Sequence, residues 1–300
     1  MSYPNHNKTQ FFKYTSAPTA IKILATGTVR YSSPLLFNDP FDVQSGLHFD
    51  FDIEAFPDKL LNRIKQLVES EQIPKMALHY PMEKIISLMR EKKTKHGIPE
   101  ELLQGVLEPF LVSLTDNMIK LQRDYQKGWR DFLPRLRVFS VSEEKDNLLL
   151  WAHYGKSHTG VVFEFLVLPQ EDNPLCVAES VIYSEAPPSL HTQEEWIDET
   201  MGISNLNHEK LYYRYAYVKS DVWAYEKEWR VWDLIPEPQE ALYSEYPLRD
   251  KEIAAVYLGC KISPDDKTKL LTLMSQKQPH AKIFQARKAP DEFRLDFQQL

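Results

Sequence analysis

The chain has 300 residues, and 36 Lys and Arg against 43 Asp and Glu give a formal net charge of −7. Hydrophobic residues make up 43% and charged residues 26%, close to globular averages, which excludes wholesale disorder. Only 9 residues are Gly, whereas 20 are Pro. Few segments can therefore wrap closely around a phosphate, and neither a P-loop nor a dinucleotide-binding glycine motif is present.

Cysteine usage and the longest apolar run indicate the compartment. Cys176 and Cys260 belong to no CxxC pair, which argues against a zinc ribbon or disulfide scaffold and fits a reducing compartment. The N-terminus is polar and lacks the apolar stretch of an export signal. The run 160–168 is interrupted by Glu164 and is too short to span a bilayer. The sequence therefore predicts a cytoplasmic protein with no membrane partner.

The first forty residues predict a strand, a helix and a second strand. Residues 11–14 look like a short strand, and Ser16 is placed to cap a helix that Gly27 ends. A second strand follows over 28–31. The loop 37–42 then places turn-forming residues between two aromatics.

From about residue 53 to 128 the hydrophobic pattern has a helical period. Apolar residues 60, 61, 64, 67 and 68 mark one face of an amphipathic helix. The pattern recurs over 82–89 and over 103–125, where the last helix is expected to end at Gly128. We interpret 53–128 as a helical insertion within a single domain spanning 1–300.

Beyond Pro134 the pattern is mainly that of strands. They are expected at 137–141, 160–168, 177–183, 228–234, 254–258, 282–286 and 293–297. Helices are expected at 147–154, with Asp146 as the cap, and at 194–215 and 264–277. This order predicts an α+β fold, with flanking helices around a mixed, mostly antiparallel sheet that is either continuous or split.

The segment 151–160 concentrates chemistry-bearing side chains between a helix end and a strand. His153 and His158 are five residues apart, so they share no helix face, and no acidic residue completes a metal-ligand set. One interpretation is structural, with Trp151 in the core and His153 and Tyr154 bonded to backbone. The other is a substrate-facing turn whose aromatic ring stacks on a planar ligand.

The segment 223–232 places two acids and a base among four large aromatics. On a strand, Glu226, Glu228 and Arg230 would share one face, and Trp229 and Val231 the other. Carboxylates at this spacing repel, so the pKa of one rises unless Arg230 compensates. A solvated charged face is the alternative, but the surrounding aromatics favour a functional site.

The loop 37–42 is the third candidate. Asn38 or Asp39 can cap the turn, and Pro40 stiffens it. Local chemistry favours a structural turn fastened by Phe37 and Phe41.

Together these segments resemble a bacterial family known as domain of unknown function 2971. Its features are a K-Y pair, an F-N-D-P-F loop, a W-x-H-Y…H-x-G segment and an E-K-E-W-R segment, and all four occur in this order. The late segment 256–259 (Val-Tyr-Leu-Gly) also fits, and the resemblance covers about 12–297.

The chain is also remotely similar to the ADP-ribosyltransferase superfamily, which begins with a strand, a helix ending in Gly and a second strand. That resemblance implies a cleft in a split sheet that binds NAD as a substrate without a glycine-rich loop and without a metal. It also implies an acceptor of unknown kind, whether protein, nucleic acid or small molecule, and a role in bacterial defence or stress. Lys13-Tyr14 stands in place of the usual first-strand Arg or His, and Tyr31-Ser32-Ser33 in place of S-T-S.

The same resemblance implies the catalytic residues. Glu228 matches the second acid of the superfamily's E-x-E pattern. It would hold the ribose 2′-OH and stabilise the oxocarbenium character that develops when nicotinamide leaves. Glu226 would orient or deprotonate the acceptor.

Other residues would then bind NAD. Tyr154 or Tyr31 would stack on nicotinamide, Lys13 or Arg30 would neutralise the diphosphate, and His153 would bind a ribose hydroxyl. Tyr14 is a further candidate for binding NAD, and the other candidate residues of the site are Asn38, Asp39, Trp151, His158 and Arg230.

Two other functions stay open. The first is a non-catalytic module that binds a ligand or partner through the same aromatic cleft, such as a sensor in defence or stress. The second is a hydrolase or nuclease with a metal held by Asp39, Asp42, His153, His158 and Glu228. Convergence of Lys13, Tyr31, His153 and Glu228 on one cleft would favour the transferase. The oligomeric state is left open.

Overall fold

The computed structural model describes residues 4–70, 80–94, 97–99, 101, 105, 108–206 and 215–300. The chain divides into two compact units. The sheet unit comprises 1–44, 132–187 and 217–300, and the helical unit comprises 45–131 and 188–216. The helical unit thus holds the predicted insertion and also 188–216, which the helical pattern did not group with it. The single-domain assignment stays a prediction.

Seven α-helices are described. They are α1 (Ala17–Thr26), α2 (Phe56–Ser70), α3 (Tyr80–Lys92), α4 (Glu108–Phe132), α5 (Leu148–His153), α6 (Gln193–Met201) and α7 (Pro264–Lys277). The described strands are β1 (Gln10–Thr15), β2 (Thr28–Ser32), β3 (Leu136–Ser142), β4 (Val161–Leu166), β5 (Glu179–Ser180), β6 (Ile182–Ser184), β7 (Val218–Ser220), β8 (Glu228–Leu234), β9 (Tyr243–Pro247), β10 (Ile253–Leu258), β11 (Lys282–Lys288) and β12 (Leu295–Gln299).

The predicted opening of strand, helix and strand is confirmed. Ser16 Oγ accepts a hydrogen bond from the Thr19 amide at the start of α1. Gly27 ends α1 in the left-handed conformation, with φ of 67°, and its N–H donates to Ile23 O. These local signals place β2 directly beyond the helix.

Two predicted boundaries are wrong, for physical reasons that the structure shows. Helix α4 passes Gly128 and ends at Phe132, because the next residue, Trp129, is buried and its packing outweighs the low helix propensity of glycine. The helix expected over 194–215 ends at Met201, because Gly202 adopts a left-handed φ of 74°. The predicted apolar positions 103, 106 and 107, and residues 207–214, lie outside the described residues.

Three strand assignments also change, and one of them is β7, which was not predicted. The strand expected over 177–183 is two short strands, β5 and β6, which pair with different partners, β8 and β7. Strand β9 has a polar, half-exposed sequence and was not predicted. It pairs antiparallel with β2 at an end of the sheet.

The large sheet of the sheet unit has the order β12-β11-β10-β4-β1-β3-β2-β9, with β8 beside β3 and β5 beside β8. Pairing is antiparallel except between β10 and β11. Strands β1 and β3 meet only at Phe12 and Ser142, whereas β1 pairs with β4 along its whole length. The sheet therefore splits where β1 and β3 diverge, and the predicted fold class, with a mixed and mostly antiparallel sheet, is confirmed.

Both faces of the sheet are buried. Phe11 belongs to a core with Phe163 and Leu270, on the side covered by α1 and α7, which pack together. The neighbouring Phe12 belongs to a second core with Trp151, on the side of α5. Because neighbouring side chains of β1 are buried in cores on opposite faces of the sheet, the position of β1 beside the split is fixed by packing on both sides. Among the described residues, no helix is long and apolar enough to cross a membrane.

Candidate functional site

A pocket of about 450 Å³ opens in the sheet unit where β1, β2 and β3 diverge. Its size falls within the usual range for small-molecule sites. The charged lining consists of three basic and three acidic residues: Lys13, Arg30, Lys219, Asp42, Glu226 and Glu228. Aromatic lining comes from Phe12, Tyr14, Phe37, His153 and Tyr154. Charged groups of both signs and aromatic rings therefore face one cavity.

Lys219, on β7, is the centre of the charged cluster. Its ammonium lies 2.6 Å from Glu226 Oε2, 2.9 Å from Glu228 Oε2 and 3.3 Å from Asp42 Oδ2. The side chain is only 6% exposed. Burial alone would lower the pKa of Lys219, but the surrounding carboxylates raise it above its usual value, so the ammonium stays charged.

Arg230, on β8, fixes one side of the same cluster. Its Nε and Nη2 donate to the two oxygens of Glu228 at 2.7 and 3.0 Å. Its Nη2 also lies 2.7 and 2.9 Å from the oxygens of Asp42. Arg230 is 1% exposed, so these ion pairs are needed to compensate its loss of water. The loop 37–42 is thereby tied to β8.

The two glutamates reach Lys219 by a route that the sequence did not predict. Glu226 is the last residue of a 3-10 helix, Asp221–Glu226, and does not lie on β8 as expected. Lys227 follows in the left-handed conformation, with φ of 43°, and β8 begins at Glu228. This turn brings the two carboxylates, two residues apart, onto one ammonium.

The environment moves the two glutamate pKa values in opposite directions. Burial alone would raise the pKa of Glu228, but Arg230 and Lys219 outweigh it and hold the pKa below its usual range. Burial dominates at Glu226 and raises its pKa, despite Lys219. A pair of neighbouring acids with divergent pKa values is typical of sites that need one permanent anion and one proton acceptor.

Tyr154 and His153 bring the end of α5 to the pocket. Tyr154 Oη donates to Glu226 Oε1 at 2.7 Å. His153 is exposed, and its Nδ1 lies 3.0 Å from Tyr225 Oη. Asn147, rather than the expected Asp146, caps α5, because its side-chain oxygen accepts from the Leu149 and Leu150 amides.

Strands β1 and β2 contribute cations from the other side. Lys13 Nζ donates to Ser140 O at 2.6 Å, across the gap between β1 and β3. Burial lowers the pKa of Lys13 to about 8, although Glu228 and Glu226 oppose the shift. Arg30 is exposed at the rim, and its guanidinium lies 3.9 Å from the centre of the Tyr243 ring. Tyr14 is mostly buried and donates its hydroxyl to Glu144 O.

The predicted loop residues lie close to this site. Asn38 lines the pocket and is exposed. Asp39 Oδ1 accepts from the Phe41 amide, which is the expected turn, and Asp39 Oδ2 accepts from Trp223 Nε1 at 2.7 Å. The loop is therefore both a structural turn and part of the pocket wall.

Tyr31 and Trp151 are core residues, and neither lines the pocket. Tyr31 is 3% exposed, and its ring stacks on Phe139 at 5.0 Å. It is therefore not available to stack on nicotinamide, because Phe139 and Tyr246 cover its ring. Trp151 is fully buried, and its Nε1 donates to Lys145 O. For Trp151, the structural interpretation of the motif applies.

His158 belongs to a tight turn beside Trp151. Lys156, Ser157 and His158 all have left-handed φ values, 48°, 56° and 66°. The His158 ring stacks on Trp151 at 6.1 Å, and the His158 amide donates to Trp151 O. Much of the W-x-H-Y…H-x-G motif is therefore explained by the geometry of this turn, and His158 is not a pocket residue.

Three of the four residues expected to converge do so, namely Lys13, His153 and Glu228. Sequence analysis missed Lys219 altogether and considered Asp42 only as a metal ligand. The available signal for Lys219 was a single Lys directly after the apolar residues 215–218. Among the described residues, no group of three His, Cys, Asp or Glu side chains is arranged to hold a metal ion.

Comparisons with known proteins locate the family resemblance. No curated protein and no solved structure matches the chain. The family model that matches covers residues 150–231, which include Tyr154, Lys219 and the segment from Glu226 to Arg230. This segment of the chain matches the model of the family described as "Protein of unknown function (DUF2971)", which supports the family resemblance that the motifs predicted.

Proposed function

We propose that the sheet unit binds NAD in this pocket and transfers its ADP-ribose group to an acceptor. One observation carries the proposal: Glu226 and Glu228 reach the same pocket with pKa values shifted in opposite directions. Chemistry that needs both a fixed anion and a proton acceptor requires such a pair. The pocket also lies at the split in the sheet, as the resemblance to ADP-ribosyltransferases implies.

In this reaction the bond between ribose C1′ and the nicotinamide nitrogen breaks, and its electron pair leaves with nicotinamide. Positive charge develops on the ribose, and a nearby carboxylate stabilises it. An oxygen or nitrogen of the acceptor then bonds to C1′ and loses a proton. With water as acceptor, the products are ADP-ribose, nicotinamide and one proton.

Glu228 suits the stabilising role because it remains ionised and cannot move. Both of its oxygens hydrogen-bond to Arg230, and its backbone N–H donates to Tyr183 Oη at 2.8 Å. Oε2 already accepts hydrogen bonds from both Arg230 and Lys219, so the ribose 2′-OH would bond to Oε1, beside Arg230 Nε. Such an anion needs no reorganisation when the transition state forms.

Glu226 suits the proton-accepting role. Its raised pKa makes it a stronger base than an ordinary glutamate. Tyr154 and Lys219 hold one oxygen each, at 2.7 and 2.6 Å, which orients the carboxylate. We assign the diphosphate to Arg30, because its guanidinium is exposed at the rim and its planar set of donors matches phosphate oxygens.

Nicotinamide release from NAD by the purified protein tests the proposal. Glu228→Gln keeps the shape of the side chain and removes its charge, so we expect turnover to fall by about 10²–10³-fold. Glu226→Gln should lower turnover by about 10²-fold or more, since general-base catalysis contributes that much. NAD affinity, measured by calorimetry, should change little in either variant. Glu292→Gln, at an exposed ion pair with Arg294, is the matched control.

A second candidate is a module that binds a nucleotide without cleaving it. The observation that favours it is that both oxygens of Glu228 are already paired, with Arg230 and with Lys219. Under this alternative the wild-type protein binds NAD, leaves nicotinamide intact, and loses affinity when Arg30 is replaced. Turnover that survives in full in Glu228→Gln would contradict the role assigned to Glu228, whereas a wild-type protein that releases no nicotinamide would contradict the transferase proposal.

A further inference from the structure

Lys13 is the half-buried basic group of the pocket that the proposed mechanism leaves unused. Two lysines line this cavity, and their surroundings differ. Lys219 Nζ has three carboxylate oxygens within 3.3 Å. Lys13 Nζ donates to the backbone carbonyl of Ser140 and, within the described part of the chain, forms no ion pair within 4.0 Å. Its amine thus faces the cavity without a carboxylate bound to it.

The surroundings of Lys13 favour the neutral amine. Lys13 is half-buried on β1, and burial opposes the contact of its Nζ with the Phe139 ring, 5.0 Å from the ring centre, which favours the charged ammonium. Burial lowers the pKa of Lys13 to about 8. The nearby Glu228 and Glu226 oppose this shift, whereas the positive charge of Lys219 adds to it. About a tenth of Lys13 is therefore neutral at pH 7, against less than a thousandth of an ordinary lysine.

We propose that Lys13 is a nucleophilic amine that captures an aldehyde or ketone in this pocket as an imine. The Nζ lone pair attacks the carbonyl carbon, and the electron pair of the C=O bond moves to oxygen, which takes up a proton. The resulting carbinolamine then loses its hydroxyl group as water and becomes an imine. Both hydrogens of the neutral amine end in that water, so no oxidant or reductant is required.

The other side chains of the pocket define the class of carbonyl compound. Glu226, a carboxylate whose oxygens accept from Tyr154 and Lys219, can take up the proton that the attacking amine releases and pass it to the departing hydroxyl. Arg30 at the rim matches a carboxylate or phosphate on the incoming molecule. A cavity of about 450 Å³ accommodates a small aromatic or sugar-like compound. We therefore expect small anionic aldehydes or ketones to be captured.

Reductive trapping tests the proposal on the whole chain without NAD, so its outcome is independent of the transferase activity. The protein is incubated with 4-carboxybenzaldehyde and sodium cyanoborohydride, and labelled peptides are mapped by mass spectrometry. At pH 7 we expect Lys13 to be labelled on the order of tenfold faster than exposed lysines, because more of its amine is neutral. Lys219, in the same pocket, should remain unlabelled because it stays protonated.

The pH profile and a variant complete the test. Labelling of Lys13 should rise with a midpoint near pH 8, following its lowered pKa. Lys13→Arg should abolish the label at this position while its circular dichroism matches that of the wild type. Equal labelling of all lysines, preferential labelling of Lys219, or a midpoint for Lys13 near that of exposed lysines would each overturn the proposal.

Discussion

Glu226 and Glu228 share one ammonium, that of Lys219, at 2.6 and 2.9 Å. Two like charges so close together repel, and neither is in contact with bulk water, since their residues are 4% and 6% exposed. The ammonium of Lys219 therefore offsets the repulsion between the two buried carboxylates and stabilises them in their charged form. With Asp42 and Arg230 the cluster carries three carboxylates against two cations, and Lys13 balances the remaining negative charge when protonated.

Replacing Lys219 by Met should destabilise the protein. Three buried carboxylates would lose a shared partner, and breaking a buried ion pair from one side costs about 3–5 kcal/mol. We expect the urea midpoint at pH 7 to fall accordingly. The free energy of unfolding is obtained from urea titration followed by circular dichroism.

Lys227→Met is the control for this variant. Lys227 forms an ion pair with Glu144, but its side chain is half exposed, so its loss should leave the midpoint nearly unchanged. If Lys219→Met were as stable as Lys227→Met, the cluster would not depend on Lys219.

The stability of the cluster should depend on pH through Glu228. Its pKa is lower in the folded chain than the ordinary value of 4.5. The stabilisation from its charged form is therefore complete above that ordinary value, and it is lost as pH falls through the lowered pKa. Glu228→Gln should be less stable than the wild type at pH 7, and the gap should shrink as the solution is acidified from pH 5 to pH 3.

Urea titrations of both proteins at several pH values measure this gap. For the control Glu292→Gln, at an exposed site, the difference in stability from the wild type should not change between pH 5 and pH 3. A constant difference between Glu228→Gln and the wild type would mean that the charge of Glu228 does not stabilise the fold.

Sequence reasoning succeeds here where structure is decided by neighbouring residues. The cap at Ser16, the end of α1 at Gly27 and the short strand at 11–14 depend on residues a few positions apart, and all three predictions are confirmed. The grouping of Glu228 with Arg230 also succeeds, because they are two positions apart on one strand and bond as expected.

The rest of the site depends on contacts that no local pattern encodes. Asp42 reaches Arg230 across 188 positions of the chain, and Lys13 reaches Ser140 across 127. Successive side chains of β2 point to opposite faces of the sheet, and the sequence does not show which face is the core and which is the pocket. Tyr31 was therefore assigned to the wrong face. The left-handed Lys227 is equally hidden, because lysine has no preference for that conformation.

Gly259 should be far less tolerant of a side chain than Gly27. A Cβ at Gly259 would lie 2.2 Å from the carbonyl oxygen of His158, whereas one at Gly27 would meet nothing within 4 Å. Gly27→Ala should cost about 1 kcal/mol, from its left-handed φ alone. Gly259→Ala must move the backbone of the turn 156–158, so we expect a much larger drop in melting temperature. If Gly259→Ala and Gly27→Ala had equal melting temperatures, the backbone of the turn 156–158 would be able to move at little cost in free energy.

The hydroxyl of Tyr154 should set the pH at which the proposed transferase activity appears. It donates to Glu226 Oε1, and this hydrogen bond lowers the pKa of Glu226 against the rise from burial. If Glu226 is the base, activity appears as pH rises through its pKa, because only the carboxylate accepts a proton.

Tyr154→Phe removes the donor, so the pKa of Glu226 should rise and the acid limb of kcat against pH should move upward by about one unit. Nicotinamide release between pH 4 and pH 9 measures it. Tyr225→Phe is the matched control, because it removes a hydroxyl that contacts His153 and leaves the bonds of Glu226 in place. An acid limb that is unchanged in Tyr154→Phe would assign the proton transfer to a group other than Glu226, even if turnover falls.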